Sequence, residues 1–304
     1  VMKLSKIVRK IQNKIRTSNY VSKSKHNVAH HYDLSDKLYE LFLDPDRQYS
    51  CAYFNSPNDT LEQAQINKKE LISKKLLLEE GQSVLDIGCG WGGMASHIYK
   101  KSNANVVGVT LSEEQIAYAK QRKINEKLDK VEYRLQDYRN VNETYDRIVS
   151  VGMFEHVGTS HYQEFFNKVN DLLNDTGVAL IHTIGRLTEP TNNDPWIEKY
   201  IFPGGYIPAL SETMSRVEKS GLALTDVQVL RFHYAETLKR WRYNFYDNID
   251  KVKELYDEKF CRMWDFYLSS SQASFEEAGL VVFQLQLSKN KKTVPDRRDY
   301  MLTN

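Results

Sequence analysis

Val84-Leu-Asp-Ile-Gly-Cys-Gly-Trp-Gly-Gly93 is the stretch that decides how this 304-residue chain folds. A short apolar run of strand character leads directly into a glycine-rich turn and then into a helical pattern. Glycine there permits a tight turn and lets a ligand approach the backbone at a helix N-terminus. Working outward, the same alternation repeats. The pattern predicts strands over Ser83–Ile87, Asn105–Thr110, Val131–Leu135, Arg147–Val151 and Val178–Ile184, with helical stretches between them. Such alternation builds parallel β-α units in a doubly wound α/β sheet. Upstream, Thr60 followed by Gln63 predicts a capping-box helix running to about Glu79, and residues 30–55 read as short helices and a loop. Downstream the pattern breaks. Pro190, Pro195, Pro203 and Pro208 with Gly204-Gly205 predict a long irregular insertion over 185–212, and long ordered loops tend to be functional covers. A strand over Leu222–Leu230, an aromatic helical stretch over about 235–278, a last strand over Val281–Leu287 and an exposed basic tail follow. The implied segments are 1–58, 59–290 with a lid at about 185–220, and 291–304.

The net charge of +2 hides an asymmetry. Residues 1–32 hold eight Lys or Arg and no Asp or Glu, which leaves 34 basic against 40 acidic residues in the remainder. Within that arm Leu4, Ile7, Val8, Ile11 and Ile15 recur at helical spacing, so one apolar stripe is flanked by cations. Such a helix can lie on an anionic membrane surface or pack on the body with a solvated basic face. Nucleic acid is a weaker third option for the arm and is not the expected partner, since the arm has one aromatic, Tyr20, and no recognition motif. No apolar run reaches the roughly 18 residues that span a bilayer, and the charged N-terminus lacks the apolar core of a secretory signal. A cytoplasmic protein, peripheral on the inner membrane surface and capable of forming a homodimer, is expected. Cys51, Cys89 and Cys261 are too scattered for a disulfide framework or a metal site and read as reduced thiols.

A glycine turn alone fits a dinucleotide as well as S-adenosylmethionine. Two features favour the latter. Asp86 precedes the first glycine by two, as in methyltransferases, where that acid lies near the amino-acid end of the cofactor. Leu135-Gln-Asp137-Tyr138, after the third strand, stands where methyltransferases hold adenine. The acid that usually binds ribose at the end of the second strand is missing. Val109-Thr-Leu-Ser112 stands there instead, so ribose contacts are expected from Thr110, Ser112, Gln115 or a neighbouring Glu.

Several further segments occur in a consistent order: His31-Tyr-Asp-Leu-Ser35, Gln48-Tyr-Ser-Cys-Ala-Tyr-Phe54, Phe154-Glu-His156, His182-Thr-Ile184, Ile201-Phe-Pro-Gly-Gly205 and His233-Tyr-Ala-Glu-Thr-Leu238. Together with the glycine turn and Val109–Ser112, they make the chain resemble the cyclopropane-fatty-acid synthase family, which includes the mycolic-acid cyclopropane synthases, over about residues 28–288. The resemblance implies a class I S-adenosylmethionine methyltransferase fold, Rossmann-like, with an N-terminal helical arm and a lid. It implies a cofactor held by Tyr49, Ser50, Asp86, Gly88, Cys89, Gly90, Thr110, Leu111, Ser112, Gln115, Asp137 and Tyr138. It also implies a bicarbonate ion beside the methyl group, at Cys51, Glu155, His182, the Ile184 carbonyl and Tyr234. The position of a late family cysteine is taken by Ser271, so no covalent cysteine mechanism can run from there.

The implied chemistry is methylene transfer to unsaturated acyl chains of membrane phospholipids. An alkene is a poor nucleophile and the sulfonium methyl a strong electrophile, so the enzyme mainly aligns the two in a dry site. Aromatic faces can stabilise the resulting cation, and bicarbonate can take the proton that lets the ring close. Taken singly, Cys51 and Cys89 read as small buried hydrophobes, His182 as a satisfied core histidine, and Glu155 and Tyr234 as capping and packing residues. His30, His31 and His156 carry no assigned chemistry. Rival readings are methylation without ring closure on a lipid alkene or small amine, a catalytically silent membrane-surface protein and, more distantly, an NAD-dependent oxidoreductase.

Overall fold

A computed structural model describes residues 34–302. The basic arm and most of the His31–Ser35 segment lie outside the described residues. Among these, no helix is long and apolar enough to cross a membrane.

The chain enters through α1 (Asp36–Phe42), crosses an extended segment to Phe54, and continues into α2 (Leu61–Lys75). Then β1 (Ser83–Ile87), α3 (Gly93–Ser102), β2 (Asn105–Thr110), α4 (Glu113–Asn125), β3 (Val131–Leu135), β4 (Tyr145–Val151), α5 (Tyr162–Leu172) and β5 (Leu173–Arg186) alternate as the sequence predicts. Two short helices, α6 (Pro195–Tyr200) and α7 (Leu210–Val217), precede β6 (Ala223–Leu230). The chain then runs through α8 (His233–Asp247), α9 (Ile249–Leu255), α10 (Glu258–Glu277), β7 (Leu280–Ser288) and α11 (Asp299–Leu302).

The seven strands lie in the order β3-β2-β1-β4-β5-β7-β6, with β1 to β5 parallel and β7 antiparallel to both its neighbours. From β1 the chain moves outward to β2 and β3, then crosses back to β4 on the other side. The crossovers therefore diverge at the C-terminal ends of β1 and β4, where an open α/β sheet leaves a crevice for ligands. Buried runs such as Leu85, Ile87, Ile148, Ala179 and Ile181 fill the sheet, as strands covered on both faces require. A separate aromatic core, with Phe42, Trp241, Trp264 and Tyr267, packs α1, α8 and α10 over the crevice.

Several boundaries differ from the expectations. α2 ends at Lys75 because Leu77 takes a left-handed backbone, φ 52°. Its capping box is half formed: Thr60 accepts the Gln63 N–H at 3.1 Å, but the Gln63 amide bonds Asn67 instead. β5 begins at Leu173, across from Tyr145, although Asn174–Gly177 has the composition of a turn. The insertion is more ordered than its prolines suggest. Pro195 occupies the first turn of α6, where a missing N–H costs nothing, and Asp194 caps it. The helical stretch after 235 is broken at Asn248 and Asp257, which cap its pieces. In the tail, Lys289 is half-buried and donates to the Leu173 carbonyl at 2.7 Å. All three cysteines are buried free thiols.

Thr60 tests the helix that backs the crevice: Thr60→Ala is expected to cost about 1 kcal/mol. Urea unfolding reads this as a lower midpoint at unchanged slope, and an unaltered midpoint contradicts it.

Candidate active site

Two cavities meet over the diverging strands. The first is lined by residues after β1 (Gly88 to Trp91), at the end of β2 (Thr110, Leu111), after β3 (Gln136 to Arg139) and after β4 (Gly152, Met153, His156). The second, of about 450 Å³, has a mainly apolar wall and runs between the β5 end, the α6 segment and one face of α10. Tyr49, Ser50, Gly152 and His156 line both, so the two cavities adjoin across these residues.

In the first cavity Gly88, Gly90 and Gly92 all have positive φ. A Cβ on Gly88 would meet Met153 at 2.8 Å, whereas one on Gly90 would meet nothing within 4 Å, so at Gly90 the backbone itself faces open space. Asp86 lies beneath the turn with 1% of its surface exposed, and burial pushes its carboxyl up to about 7. Its Oδ2 has no partner, which suits an ammonium group arriving from the cavity.

Where a ribose-binding acid is missing, the Thr110 hydroxyl donates to Gln115 Oε1 at 3.0 Å while accepting the Ser112 N–H at 3.3 Å. This fixes the Gln115 amide with its NH2 free for the cavity. Ser112 instead accepts the Gln115 N–H at 3.2 Å as the cap of α4, and it does not line the cavity. Asp137 does line it, but its carboxylate is held by the Arg139 guanidinium at 2.9 and 2.7 Å. Its neighbours Gln136 and Tyr138 face the same space. Cys89 lines the turn, and burial pushes its thiol pKa up.

The segment Arg47–Cys51 crosses the junction and is fastened to α2 by two side chains. Lys68, fully buried, donates to Gln48 Oε1 at 2.7 Å and Ser50 Oγ at 2.8 Å. Gln65 donates to the carbonyls of Gln48 and Ser50. Burial holds the Lys68 ammonium down to about 7. The Tyr49 and Tyr267 hydroxyls bond at 2.8 Å, and the Tyr49 ring packs on Trp241 with centroids 5.2 Å apart.

Cys51, Glu155, His182, Ile184 and Tyr234, which reach the site from four separate parts of the chain, all line the second cavity. Glu155 sits in a single 3-10 turn after β4, where its Oε1 accepts the Ile184 N–H at 2.6 Å. Burial pushes its carboxyl up to about 7, and its Oε2 has no partner. His182 Nδ1 meets Gln284 Nε2 at 3.1 Å, its Nε2 has no partner, and burial with the charges of Lys68 and Lys75 holds the ring well below its usual range. Burial likewise raises the Cys51 thiol far above neutrality, so it is not a thiolate. Ser271 also lines this cavity.

Sequence reasoning missed Lys68, Gln136, Gln284 and the position of His156 at the junction. A lysine inside a helical pattern and a glutamine inside a strand carry no signal of burial. The Phe154-Glu-His156 motif did contain His156, which burial holds down to about 4, hence neutral.

Residues 20–285 match the family described as mycolic acid cyclopropane synthetase. The chain is 41% identical to the cyclopropane-fatty-acyl-phospholipid synthase of Escherichia coli K12, over 85% of this chain and 66% of that protein. It is 39% identical to a probable fatty acid methyltransferase of Pseudomonas putida, over 85% of this chain and 68% of that one. The chain thus spans about two thirds of the length of these two relatives. The crystal structure of mycolic acid cyclopropane synthase CmaA1, complexed with SAH and CTAB, superposes with a TM-score of 0.82 at 36% identity, covering 86% of this chain and 97% of that one. The sheet order, with its antiparallel β7, is that of a class I methyltransferase. The chain belongs to the mycolic acid cyclopropane synthetase family of S-adenosylmethionine-dependent methyltransferases.

Proposed function

We propose that this protein transfers a methylene from S-adenosylmethionine to the double bond of unsaturated acyl chains of membrane phospholipids, closing a cyclopropane ring with bicarbonate as base. The observation that carries this reading is the pair of unpartnered buried atoms, Glu155 Oε2 and His182 Nε2, in a largely apolar cavity that adjoins the glycine-turn cleft. The bound cofactor supplies an electrophilic methyl group, and bicarbonate a base of moderate strength. The protein's own residues supply the rest.

The cofactor's amino-acid end fits Asp86, Tyr49 and Ser50, its backbone-facing portion Gly88, Cys89 and Gly90, and its ribose Thr110, Leu111 and Gln115. Gln136 and Tyr138 suit the adenine, with Asp137 acting through Arg139. Ser112 acts at one remove, by holding α4.

The second cavity is built for an anion. With Glu155 Oε1 committed to the Ile184 N–H, the protonated carboxyl carries its hydrogen on Oε2 and donates from there. The His182 tautomer follows from a chain of bonds. Lys75 Nζ, which can only donate, occupies Gln284 Oε1 at 2.8 Å, so Gln284 turns its NH2 to His182 Nδ1 and leaves the imidazole hydrogen on Nε2. Two donors in a dry site suit one bicarbonate, with Cys51, the Ile184 carbonyl and Tyr234 completing its surroundings. Tyr49, Phe202, Tyr234 and Tyr267 line the cavity with ring faces that stabilise positive charge on an alkyl chain. The segment 185–220 covers this chamber and excludes water.

A second reading, methylation without ring closure, draws on the name of the Pseudomonas relative. Incubation with cofactor and unsaturated phospholipid vesicles separates the two. Cyclopropanation adds one methylene per acyl chain and removes the double bond, whereas a retained double bond points to simple methylation. Lipid left intact overturns both.

Three further outcomes follow. Asp86→Asn is expected to weaken S-adenosylmethionine binding by tenfold or more in calorimetry, and an unchanged Kd contradicts the role given to Asp86. Glu155 has its pKa raised by burial, so it donates below about pH 7 and becomes a repelling carboxylate above. Bicarbonate affinity, referred to free bicarbonate, should therefore fall as pH rises through 7, and a flat profile from pH 6 to 9 removes the donor role. Gln284→Leu should let both His182 tautomers appear in nitrogen-15 NMR and lower kcat by about tenfold. A tautomer still confined to Nε2–H would show that Gln284 does not set it.

A further inference from the structure

Arg186 is the last residue of β5 and shares a strand face with His182 and Ile184, since every second residue points the same way. All three line the second cavity. Arg186 is 7% exposed, and its backbone is pinned by an N–H bond to the Pro208 carbonyl and a bridge to Ala209. Of its guanidinium nitrogens, Nε donates to the Ile207 carbonyl at 3.0 Å. Among the described residues no carboxylate lies within 4.0 Å of the others.

A buried guanidinium with no carboxylate in contact is costly, and an anion that meets it removes much of that cost. The carboxylates of this region are hydrogen-bonded to other groups, Glu212 through the Tyr206 hydroxyl, on which Arg186 also acts electrostatically. Asp194 accepts the N–H groups of Trp196 and Ile197 at 2.8 and 3.1 Å, and Glu155 accepts that of Ile184. Glu212 accepts the Tyr206 hydroxyl and the Ala209 N–H. The planar fork of an arginine matches the paired oxygens of a carboxylate or phosphate.

We infer that Arg186 is a substrate-anchoring residue, which binds an oxyanion at the head of the unsaturated chain, either a lipid phosphodiester or the carboxylate of a free fatty acid. The inference rests on the acyl-chain reading proposed above. Four residues of strand set Arg186 about 13 Å from His182. The anchor and the reacting centre thus form a ruler along the chain, and the double bond that reaches the methyl group is the one at the matching distance from the charged head.

The test compares wild type with Arg186→Gln and Arg186→Lys on three donors carrying the same cis-octadecenoyl chain: the sodium salt, the neutral methyl ester and phosphatidylglycerol vesicles. Arg186→Gln should lower kcat/KM by about tenfold through KM for the donor whose oxyanion reaches Arg186, with partial rescue in Arg186→Lys and no change for the methyl ester. Loss on the salt identifies a carboxylate, and loss on the vesicles a phosphodiester. Positional isomers should be discriminated less sharply by the glutamine variant. An equal fall on all three donors, or no fall on any, overturns the inference. If wild type turns over none of them, the acyl-chain reading itself fails. The anchor is then decided by tryptophan-fluorescence titration with the free acid, where equal affinity of wild type and Arg186→Gln overturns it and about tenfold weaker binding by the variant supports it.

Discussion

Everything functional in this molecule depends on the divergence of the chain at β1 and β4. A parallel sheet wound outward in two directions cannot cover its own midline with a crossover helix, so backbone and polar side chains at the C-terminal ends of those strands stay open to ligands. The glycine turn after β1, the Thr110–Gln115 pair after β2 and the Glu155 turn after β4 are all consequences of where strands stop. The aromatic helices α1, α8 and α10 then roof the gap and convert a crevice into a chamber.

Within that chamber Glu155 and His182 are each oriented by a bond from behind. Glu155 is set by the Ile184 N–H, His182 by Gln284, and Gln284 by Lys75. In a dry cavity an imidazole or carboxyl free to choose its tautomer or rotamer would spend part of its time presenting the wrong lone pair. Fixed supports remove that choice before a ligand arrives. The same economy explains Lys68, whose ammonium is carried fully inside to hold Gln48 and Ser50.

The parallel core was legible because strands buried on both faces are short apolar runs and the turns between them are marked by glycine. β1, β2 and β3 match their sequence bounds residue for residue. β5 extends beyond its apolar run because tertiary pairing of Leu173 with Tyr145 overrides the turn-like composition of Asn174–Gly177. The prolines of the insertion suggest irregular chain, but proline breaks a helix only in its interior, and Pro195 sits at a helix start. The five residues around the second cavity were legible only through the order of motifs along the chain, since none of them alone exceeds the background of packing histidines and capping glutamates. Their supports, Lys68, Lys75 and Gln284, had no signal, because a long polar side chain reveals its burial only in three dimensions.

The strap from Gln48 to Ser50 has a thermodynamic consequence. Tyr49 and Ser50 belong to the walls of both cavities, and Ser50 is tied to α2 while the Tyr49 hydroxyl is tied to Tyr267 of α10. Neither occupant has to order these two residues on binding, because both are held before any ligand arrives. An occupant of either cavity that shifted these residues would change the affinity of the other cavity, and the change would be reciprocal, as linkage between sites demands.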